Sequence, residues 1–318
     1  MDNYKSILDI NDLEVISSLK GKKFLITGAD GMLGKAFQNQ ISNLVPLSKV
    51  FAMSRQQLDV RFISSFEKIF EIKPEFIIHC ACLCNADRCE SEKENARQII
   101  VEGTKNIVEI AKKINSTVFF PQSFLIYGNE NSFIDEFTIP RPMNIYGLLK
   151  YEAEQYLLEN LQNSLSVRLG GFFGGESIDK NFVGKIIYFI RKNIKNKNSF
   201  IEIGNREWQP TFTNHIAANS LLLMANNLFG IYCMASHGKA SFSEVAYEIL
   251  KTLELTQKLK VKTIDSSFFA KKEVAKRPLN AIMSNSRLNN EKLDRQIYWK
   301  NSLNEYLSNY YFRKFFNE

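Results

Sequence analysis

Residues 22–34 read Lys22-Lys23-Phe24-Leu25-Ile26-Thr27-Gly28-Ala29-Asp30-Gly31-Met32-Leu33-Gly34. The apolar run from Lys22 to Thr27 reads as a buried strand. It passes directly into three glycines spaced GxxGxxG, and helical spacing follows from Gly31 to Ile41. The spacing is shifted from the commoner GxGxxG, but the physics is similar. Gly28 permits a tight turn, Gly31 lets the backbone approach a pyrophosphate, and Gly34 lets the helix pack close to its sheet. The helix N-terminus then offers free N–H groups and a positive dipole end to phosphates. A strand, a glycine loop and a helix at the head of a β–α series point to a dinucleotide site. Its loop residues would be Gly28, Asp30, Gly31, Met32, Leu33 and Gly34. A structural turn without a ligand is the competing reading.

The rhythm continues outward from this loop. Lys49 to Met53, Glu75 to Cys80, Thr117 to Pro121 and Leu165 to Leu169 read as strands. Ile63 to Ile72, Glu90 to Ile114 and Asn144 to Leu161 read as helices. Alternation of this kind argues for an α/β fold: a Rossmann-type doubly wound parallel sheet built from right-handed βαβ units. After Gly170 the rhythm breaks. A helix near Phe182 to Lys192 and a strand near Phe200 to Ile203 suggest a smaller C-terminal α/β substrate lobe. Ile216 to Ala225 and Gly230 to Met234 look like a helix and strand returning to the main sheet. Helices near Phe242 to Leu253 and Leu303 to Phe312 would complete the lobe. The expected division is 1–170, with about 208–235, for the nucleotide-binding domain, and 171–207 with 236–318 for the lobe. No Pro/Gly/Ser linker separates them.

Composition sets the outer limits. The chain has 318 residues, 45% of them hydrophobic and 24% charged, which excludes disorder and a disulfide-dense scaffold. Lys+Arg exceed Asp+Glu by 41 to 34, a net charge of +7. The densest basic stretch, Lys185 to Lys197, is interrupted by apolar residues and reads as a solvated helix face. Such a surface attracts anionic ligands such as nucleotides, while no nucleic-acid-reading motif accompanies it. Met1 to Lys20 lacks the basic start and apolar stretch of a signal peptide. No window reaches the ~18 apolar residues of a membrane span. A cytoplasmic protein without a membrane partner is expected. Cys80, Cys82, Cys84 and Cys89 cluster, and Cys233 stands apart. The first three alternate along the predicted strand, sharing one face, and read as small buried residues at a crowded strand end. Paired CxxC knuckles are missing, so no metal is expected. Disulfides are not expected in an intracellular chain.

Three further features carry chemistry. The second strand ends Ala52-Met53-Ser54-Arg55, with no acidic residue to read a ribose. Arg55, beside Ser54, suits a 2′-phosphate, so NADP(H) is favoured over NAD(H). A solvated loop arginine is the plainer alternative. Tyr146-Gly147-Leu148-Leu149-Lys150 is YxxxK at the start of a predicted helix, and residues four apart share a face. A nearby ammonium favours phenolate, making Tyr146 a usable acid/base for an alcohol–carbonyl pair. Ser123 follows the fourth strand, at the carboxyl edge of the sheet that opens on the cofactor crevice.

With these residues in place, the chain resembles the extended short-chain dehydrogenase/reductase superfamily, closest to the dTDP-4-dehydrorhamnose reductases and related sugar-nucleotide enzymes. The resemblance spans roughly Lys22 to Leu288. It rests on the glycine loop, Leu58-Asp59-Val60, His79-Cys80-Ala81, Ser123, the YxxxK run, Asn181-Phe182-Val183, Gln209-Pro210-Thr211, and Arg277-Pro278 followed by Asn280. It implies reduction of a keto group on a nucleotide sugar of the 4-keto-6-deoxyhexose class, in surface polysaccharide biosynthesis. Ser123, Tyr146 and Lys150 would be the catalytic triad. Asp59 and Val60 would lie near the adenine, and Cys80 and Ala81 would line the cofactor. Ser123, Phe124, Asn181, Phe182 and Arg277 would face the substrate, Arg277 near its diphosphate. A homodimer through the helices near 90–114 and 144–161 is implied by the same likeness.

The chain also departs from these relatives. Ser-Thr-Asp-Tyr becomes Gln122-Ser123-Phe124-Leu125, an expected Asn becomes Ile100, and an aromatic after the strand carrying Arg168 becomes Gly171. Sugar 4,6-dehydratases need an Asp-Glu pair where Phe124 and Leu125 stand, and these cannot move protons. Epimerase–reductases of the GDP-fucose type need a Cys and a His at places that His79, His215 and His237 do not match; His79 reads as packed at a strand end. The alternatives that remain are an NAD-dependent 4-epimerase and a non-catalytic NADP-binding regulatory subunit.

Overall fold

A computed structural model describes residues 7–129, 133–270 and 273–317; Met1 to Ser6 of the N-terminal reading lie outside them. The strands in chain order are β1 Lys23–Thr27, β2 Lys49–Met53, β3 Phe76–His79, β4 Thr117–Ser123, β5 Ser164–Leu169, β6 Phe172–Phe173, β7 Phe200–Gly204, β8 Glu207–Trp208, β9 Thr211–Phe212, β10 Gly230–Met234, β11 Ala240–Ser241 and β12 Lys260–Ile264. The α-helices are α1 Ile10–Ile16, α2 Met32–Leu44, α3 Glu67–Ile72, α4 Ala86–Ser91, α5 Lys93–Arg97, α6 Gly103–Ile114, α7 Ile145–Asn160, α8 Phe182–Lys195, α9 Thr213–Ala225, α10 Phe242–Thr252, α11 Ser267–Ala270, α12 Ser286–Asn290, α13 Trp299–Leu307 and α14 Tyr310–Asn317.

Six strands form one parallel sheet in the order β10-β5-β4-β3-β1-β2. Strand order reverses at β1, so the crevice for a ligand opens beside the loop that leaves it. Alternation along β1 shows why both faces are covered. Phe24 and Ile26 enter one core with Phe37 and Ile41 of α2 and Leu221 of α9. Leu25 enters the other, with Ile107 and Ala111 of α6 and Leu157 of α7. The middle of β1 therefore reads as a continuous apolar run, as expected for a strand buried on both faces. The strand Gly230 to Met234 does return to this sheet, pairing with β5.

Beyond β5 the chain builds a second core. β7 and β12 pair in parallel, and α8, α10, α13 and α14 close over Ile186, Ile190, Trp208, Ile249 and Tyr306. The basic stretch of α8 lies on its outer face: Lys185, Lys192 and Lys195 are exposed while Val183, Ile186, Ile187 and Ile190 are buried.

Three local expectations are corrected. The helix expected over Glu90–Ile114 is several pieces. Asn85 caps α4 by accepting from Arg88 N–H at 3.0 Å, and Glu92, at φ −120° and ψ 50°, breaks the run. A π-turn over Gln98–Glu102 follows. It buries three consecutive residues, Ile99, Ile100 and Val101, which no single stripe of a regular helix buries. The helix expected over Leu303–Phe312 is likewise two, because Asn309 turns the chain and accepts from Tyr311 N–H at 2.8 Å. Finally, β3 stops at His79, so Cys82 and Cys84 lie in an irregular loop rather than on the strand. Cys84 is exposed, Cys80 and Cys82 are half-buried, and Cys89 and Cys233 are buried.

Candidate active site

The glycine loop is shaped by close approaches that only hydrogen permits. Gly28 has φ +63°, and a Cβ there would lie 2.8 Å from the Cys80 carbonyl and the Ala81 nitrogen. A Cβ on Gly34 would lie 2.7 Å from the Gly28 carbonyl. The loop is thus wedged between the start of α2 and the end of β3. Thr27 ties the same corner: its Oγ1 accepts from Ala81 N–H at 3.1 Å and bonds His79 Nδ1 at 2.9 Å. His79 also meets Thr104 Oγ1 at 3.2 Å. Burial lowers its pKa to about 3, so the imidazole is neutral and packed at the strand end as its sequence context suggested.

Helix α2 starts at Met32, and the Lys35 N–H bonds the Gly31 carbonyl. The N–H groups of Met32, Leu33 and Gly34 precede that bond and have no intrahelical acceptor. Asp30 and Gly31 are exposed, Met32 is half-buried, and the Leu33 side chain is spent in the core. A nicotinamide dinucleotide fits this cradle: its pyrophosphate would meet backbone N–H groups at a site where a Cβ is excluded. On the far side, Gly175 brings the lobe to Met32, whose Cγ lies 3.5 Å from where a Cβ of Gly175 would be.

The edge at β2 carries two guanidinium groups where sequence reading found one. Arg55 is 64% exposed in its side chain and pairs loosely with Asp59 at 3.5 Å. Arg61 grips Asp59 by two parallel hydrogen bonds, Nε to Oδ1 at 2.9 Å and Nη2 to Oδ2 at 2.6 Å. That fork holds the Asp59 carboxyl down at about 2. Asp59 is therefore an ion here, already satisfied by its neighbours. Ser54 donates its N–H to Gln57 at 2.9 Å. Val60 is buried and lies against Gly103, where a Cβ would meet its Cγ2 at 2.6 Å; its carbonyl accepts from Asn106.

Ser123, Tyr146 and Lys150 come together at the carboxyl edge of β4. Ser123 Oγ accepts from Leu125 N–H at 3.2 Å and is close enough to the Tyr146 hydroxyl to lower its pKa slightly. Lys150 Nζ donates to the Pro121 carbonyl at 2.7 Å and sits 3.6 Å over the Phe120 ring. The electrostatics differ from the expectation of a phenol made acidic by its lysine. Burial, together with the nearby thiols of Cys82, Cys84 and Cys89, raises the Tyr146 pKa well above its ordinary value. Burial lowers that of Lys150. Tyr146 is thus held as a phenol, the state that gives a proton.

Four positioning residues went unnoticed in the sequence. Gln122 donates to the Lys150 carbonyl at 2.9 Å and accepts from Ser123 N–H at 2.8 Å, locking β4 to α7. Asn144 caps α7 by accepting from Gly147 N–H at 2.8 Å, and donates to the Lys276 carbonyl at 2.7 Å. Glu90 accepts from Ile145 N–H at 2.8 Å. An Asn immediately before a helix is a readable cap signal; the partners of Gln122 and Glu90 have no local signature. Trp208 fills the space above Gly171, where a Cβ would lie 2.3 Å from the indole.

The expected substrate residues have separate surroundings. Phe124 is half-buried beside the core that holds Tyr146. Asn181 turns its amide to the Phe172 carbonyl at 2.9 Å. Phe182 stacks on Phe242 at 4.1 Å and lines a lobe cavity of about 290 Å³ with Arg206, Ser266 and Glu273. Arg277 is bound to Asp87 at 3.0 Å and lies 4.0 Å from Glu273, which in turn forks with Arg206. An ion-pair chain therefore runs from α4 to that cavity.

Fold and site together define an extended short-chain dehydrogenase/reductase-like protein. The chain belongs to the family described as the RmlD substrate binding domain, whose pattern matches residues 22–312. It is 27% identical over 206 residues to methionine adenosyltransferase 2 subunit beta of Bos taurus, covering 63% of this chain; the match spans 60% of that relative's length. It is 26% identical over 286 residues to a dTDP-4-dehydrorhamnose reductase of Aggregatibacter actinomycetemcomitans, covering 84% of this chain and 92% of that one. A crystal structure of a dTDP-4-dehydrorhamnose reductase from Clostridium acetobutylicum superposes with a TM-score of 0.83 at 26% identity, over 90% of this chain and 98% of that one. Among the described residues, no helix is long and apolar enough to cross a membrane.

Proposed function

We propose that this protein reduces the keto group of a nucleotide-activated sugar with NADPH, as the dTDP-4-dehydrorhamnose reductases it resembles do. The observation that carries this reading is the convergence of Ser123, Tyr146 and Lys150 at the carboxyl edge of β4, with the phenol kept protonated by burial. When bound, the nicotinamide supplies the hydride. The N–H groups at Met32, Leu33 and Gly34 hold the pyrophosphate, and Arg55 meets the 2′-phosphate of NADP. Ser123 orients the carbonyl oxygen, Tyr146 gives it a proton, and Lys150 favours the phenolate left behind. Asn181, Phe182 and Arg277 contact the substrate from the lobe, which begins near Gly171. A homodimer through the helices near 90–114 and 144–161 accompanies this reading as part of the same likeness.

The test is NADPH oxidation with keto sugar nucleotides, alongside the nucleotide released on denaturation. Tyr146→Phe is expected to lower turnover by about 10²–10⁴-fold with unchanged NADPH affinity. Normal turnover in that variant overturns the mechanism. Near-stoichiometric NAD released from the purified protein would instead favour an epimerase. The likeness to methionine adenosyltransferase 2 subunit beta supports a second reading, a non-catalytic NADP-binding subunit. It predicts nucleotide binding with no turnover on any keto sugar nucleotide.

A further inference from the structure

Residues 171–207 and 236–318, which build the lobe, carry 22 Lys+Arg against 13 Asp+Glu, while the rest of the chain carries 19 against 21. The excess positive charge therefore sits in the lobe, and it is densest along α8. Between Asp179 and Glu202 stand six cations and no acid: Lys180, Lys185, Arg191, Lys192, Lys195 and Lys197. The two flanking carboxylates are spent elsewhere. Asp179 is buried and accepts from the N–H groups of Gly174 and Asn181. Glu202 pairs with Lys262 at 2.8 Å.

Packing decides where these charges point. Val183, Ile186, Ile187 and Ile190 enter the lobe core. The opposite face shows Lys185, Tyr188, Phe189, Lys192 and Lys195 to solvent, a single stripe at helical spacing. Tyr188 and Phe189 are each 44% exposed, so apolar rings lie in water among the ammonium groups. Helix α14 lies alongside, with Phe315 edge-on to Tyr188 at 4.9 Å and its ring 4.3 Å beneath Arg191. Tyr310, 74% exposed, and the exposed Arg313 and Lys314 of α14 extend the surface. Rings interleaved with lysines on the outside of a helix suit an anionic bilayer. Aromatic side chains settle at headgroup level. Lysine stems lie along apolar surface while their ammonium groups meet lipid phosphates. A single-stranded nucleic acid needs a groove that tracks its backbone, whereas this stripe is the outer surface of a helix. Protein interfaces are depleted of lysine, which dominates here.

We propose that the outer face of α8, flanked by α14, docks this protein on bilayers containing anionic phospholipid. Such a face lies on lipid without crossing it, so the absence of a spanning helix among the described residues does not bear on it. The expectation of a chain without a membrane partner rested on that absence alone. The docking is independent of the proposed reductase activity.

The test is co-sedimentation of the full chain with vesicles of phosphatidylcholine, alone or mixed equally with phosphatidylglycerol. Binding is expected only with the anionic lipid and should weaken as salt rises. Lys185→Gln combined with Lys192→Gln should weaken it about 25-fold, about fivefold per cation. Lys68→Gln combined with Lys113→Gln removes two exposed lysines of α3 and α6 and should leave it unchanged. Trp208 and Trp299 are buried, so in Phe189→Trp a blue shift of emission on adding anionic vesicles reports the new ring entering lipid. No sedimentation with either vesicle, or an equal loss in the two lysine pairs, overturns the proposal. Sedimentation with the Phe189→Trp emission unmoved overturns α8 as the docking face. Binding of single-stranded RNA or polyglutamate while anionic vesicles are ignored overturns the bilayer as occupant.

Discussion

Gly147→Ala pits two effects of opposite sign against each other. Helix propensity alone predicts that replacing a helical glycine by alanine stabilises the chain, by at most about 1 kcal/mol. The structure predicts the reverse. A Cβ at Gly147 would lie 2.0 Å from the Leu125 carbonyl oxygen and 3.3 Å from Pro142 Cβ. Ordinary contact begins near 3.4 Å, so α7 must retreat by 3.4 − 2.0, or about 1.4 Å, at its first turn. Overpacking of this kind costs about 1–3 kcal/mol. Retreat also strains the bonds from Gly147 to Asn144, from Asn144 to Lys276 and from Ile145 to Glu90, each worth about 1 kcal/mol. A net loss of about 2–3 kcal/mol is expected, read as a lower urea midpoint at constant slope. Because Tyr146 adjoins the moved residue, its hydroxyl is drawn away from Ser123, and a misplacement of about 1 Å costs on the order of 10²-fold in turnover. Gly31→Ala serves as a milder steric control, since its Cβ would meet only the Gly28 carbonyl, at 3.2 Å. A Gly147→Ala protein with a raised or unchanged midpoint and wild-type turnover would refute the steric argument.

Other perturbations test separate parts of the molecule. Arg55→Ala should raise the KM for NADPH more than that for NADH; equal changes would remove Arg55 from cofactor choice. Asp59 is held at about 2 from an ordinary 3.8 by Arg61. Its folded-state pKa is depressed, so the pair contributes stability above about pH 4 that is lost as pH falls toward 2. Arg61→Ala should flatten stability measured across that window, and an unchanged profile would contradict the assignment. Glu154 is buried and forks with the equally buried Arg168, at 3.1 and 2.9 Å, while accepting from Ser166. Glu154→Leu strands a buried guanidinium and should cost about 3–5 kcal/mol in urea unfolding; a loss below 1 kcal/mol would mean that water reaches Arg168.

The parts of the site that were legible are those with a local cause. GxxGxxG after an apolar run marks its own turn, because Gly28 needs positive φ and Gly34 needs close approach. Four-residue spacing put Tyr146 and Lys150 on one helical face. The parts that were not legible depend on distant partners. Nothing near Tyr146 in sequence announces that thiols 62 and 64 residues earlier would face it and, with burial, raise its pKa. Nothing near Arg277 announces Asp87, 190 residues away. The cysteine pattern was misread because alternation was extended past His79, where the strand's partners end.

Apolar periodicity and the glycine spacing by themselves determined the β–α alternation, the parallel sheet and the dinucleotide-type loop, because short-range sterics and burial decide each of them. Tertiary structure alone decided which ionisable groups share a low-dielectric space. Arg61 reached Asp59 ahead of Arg55, Trp208 took the room above Gly171, and three thiols came close enough to Tyr146 to raise its pKa. Proton affinities follow from desolvation and from charges within a few ångströms, and those distances exist only once the chain has closed on itself.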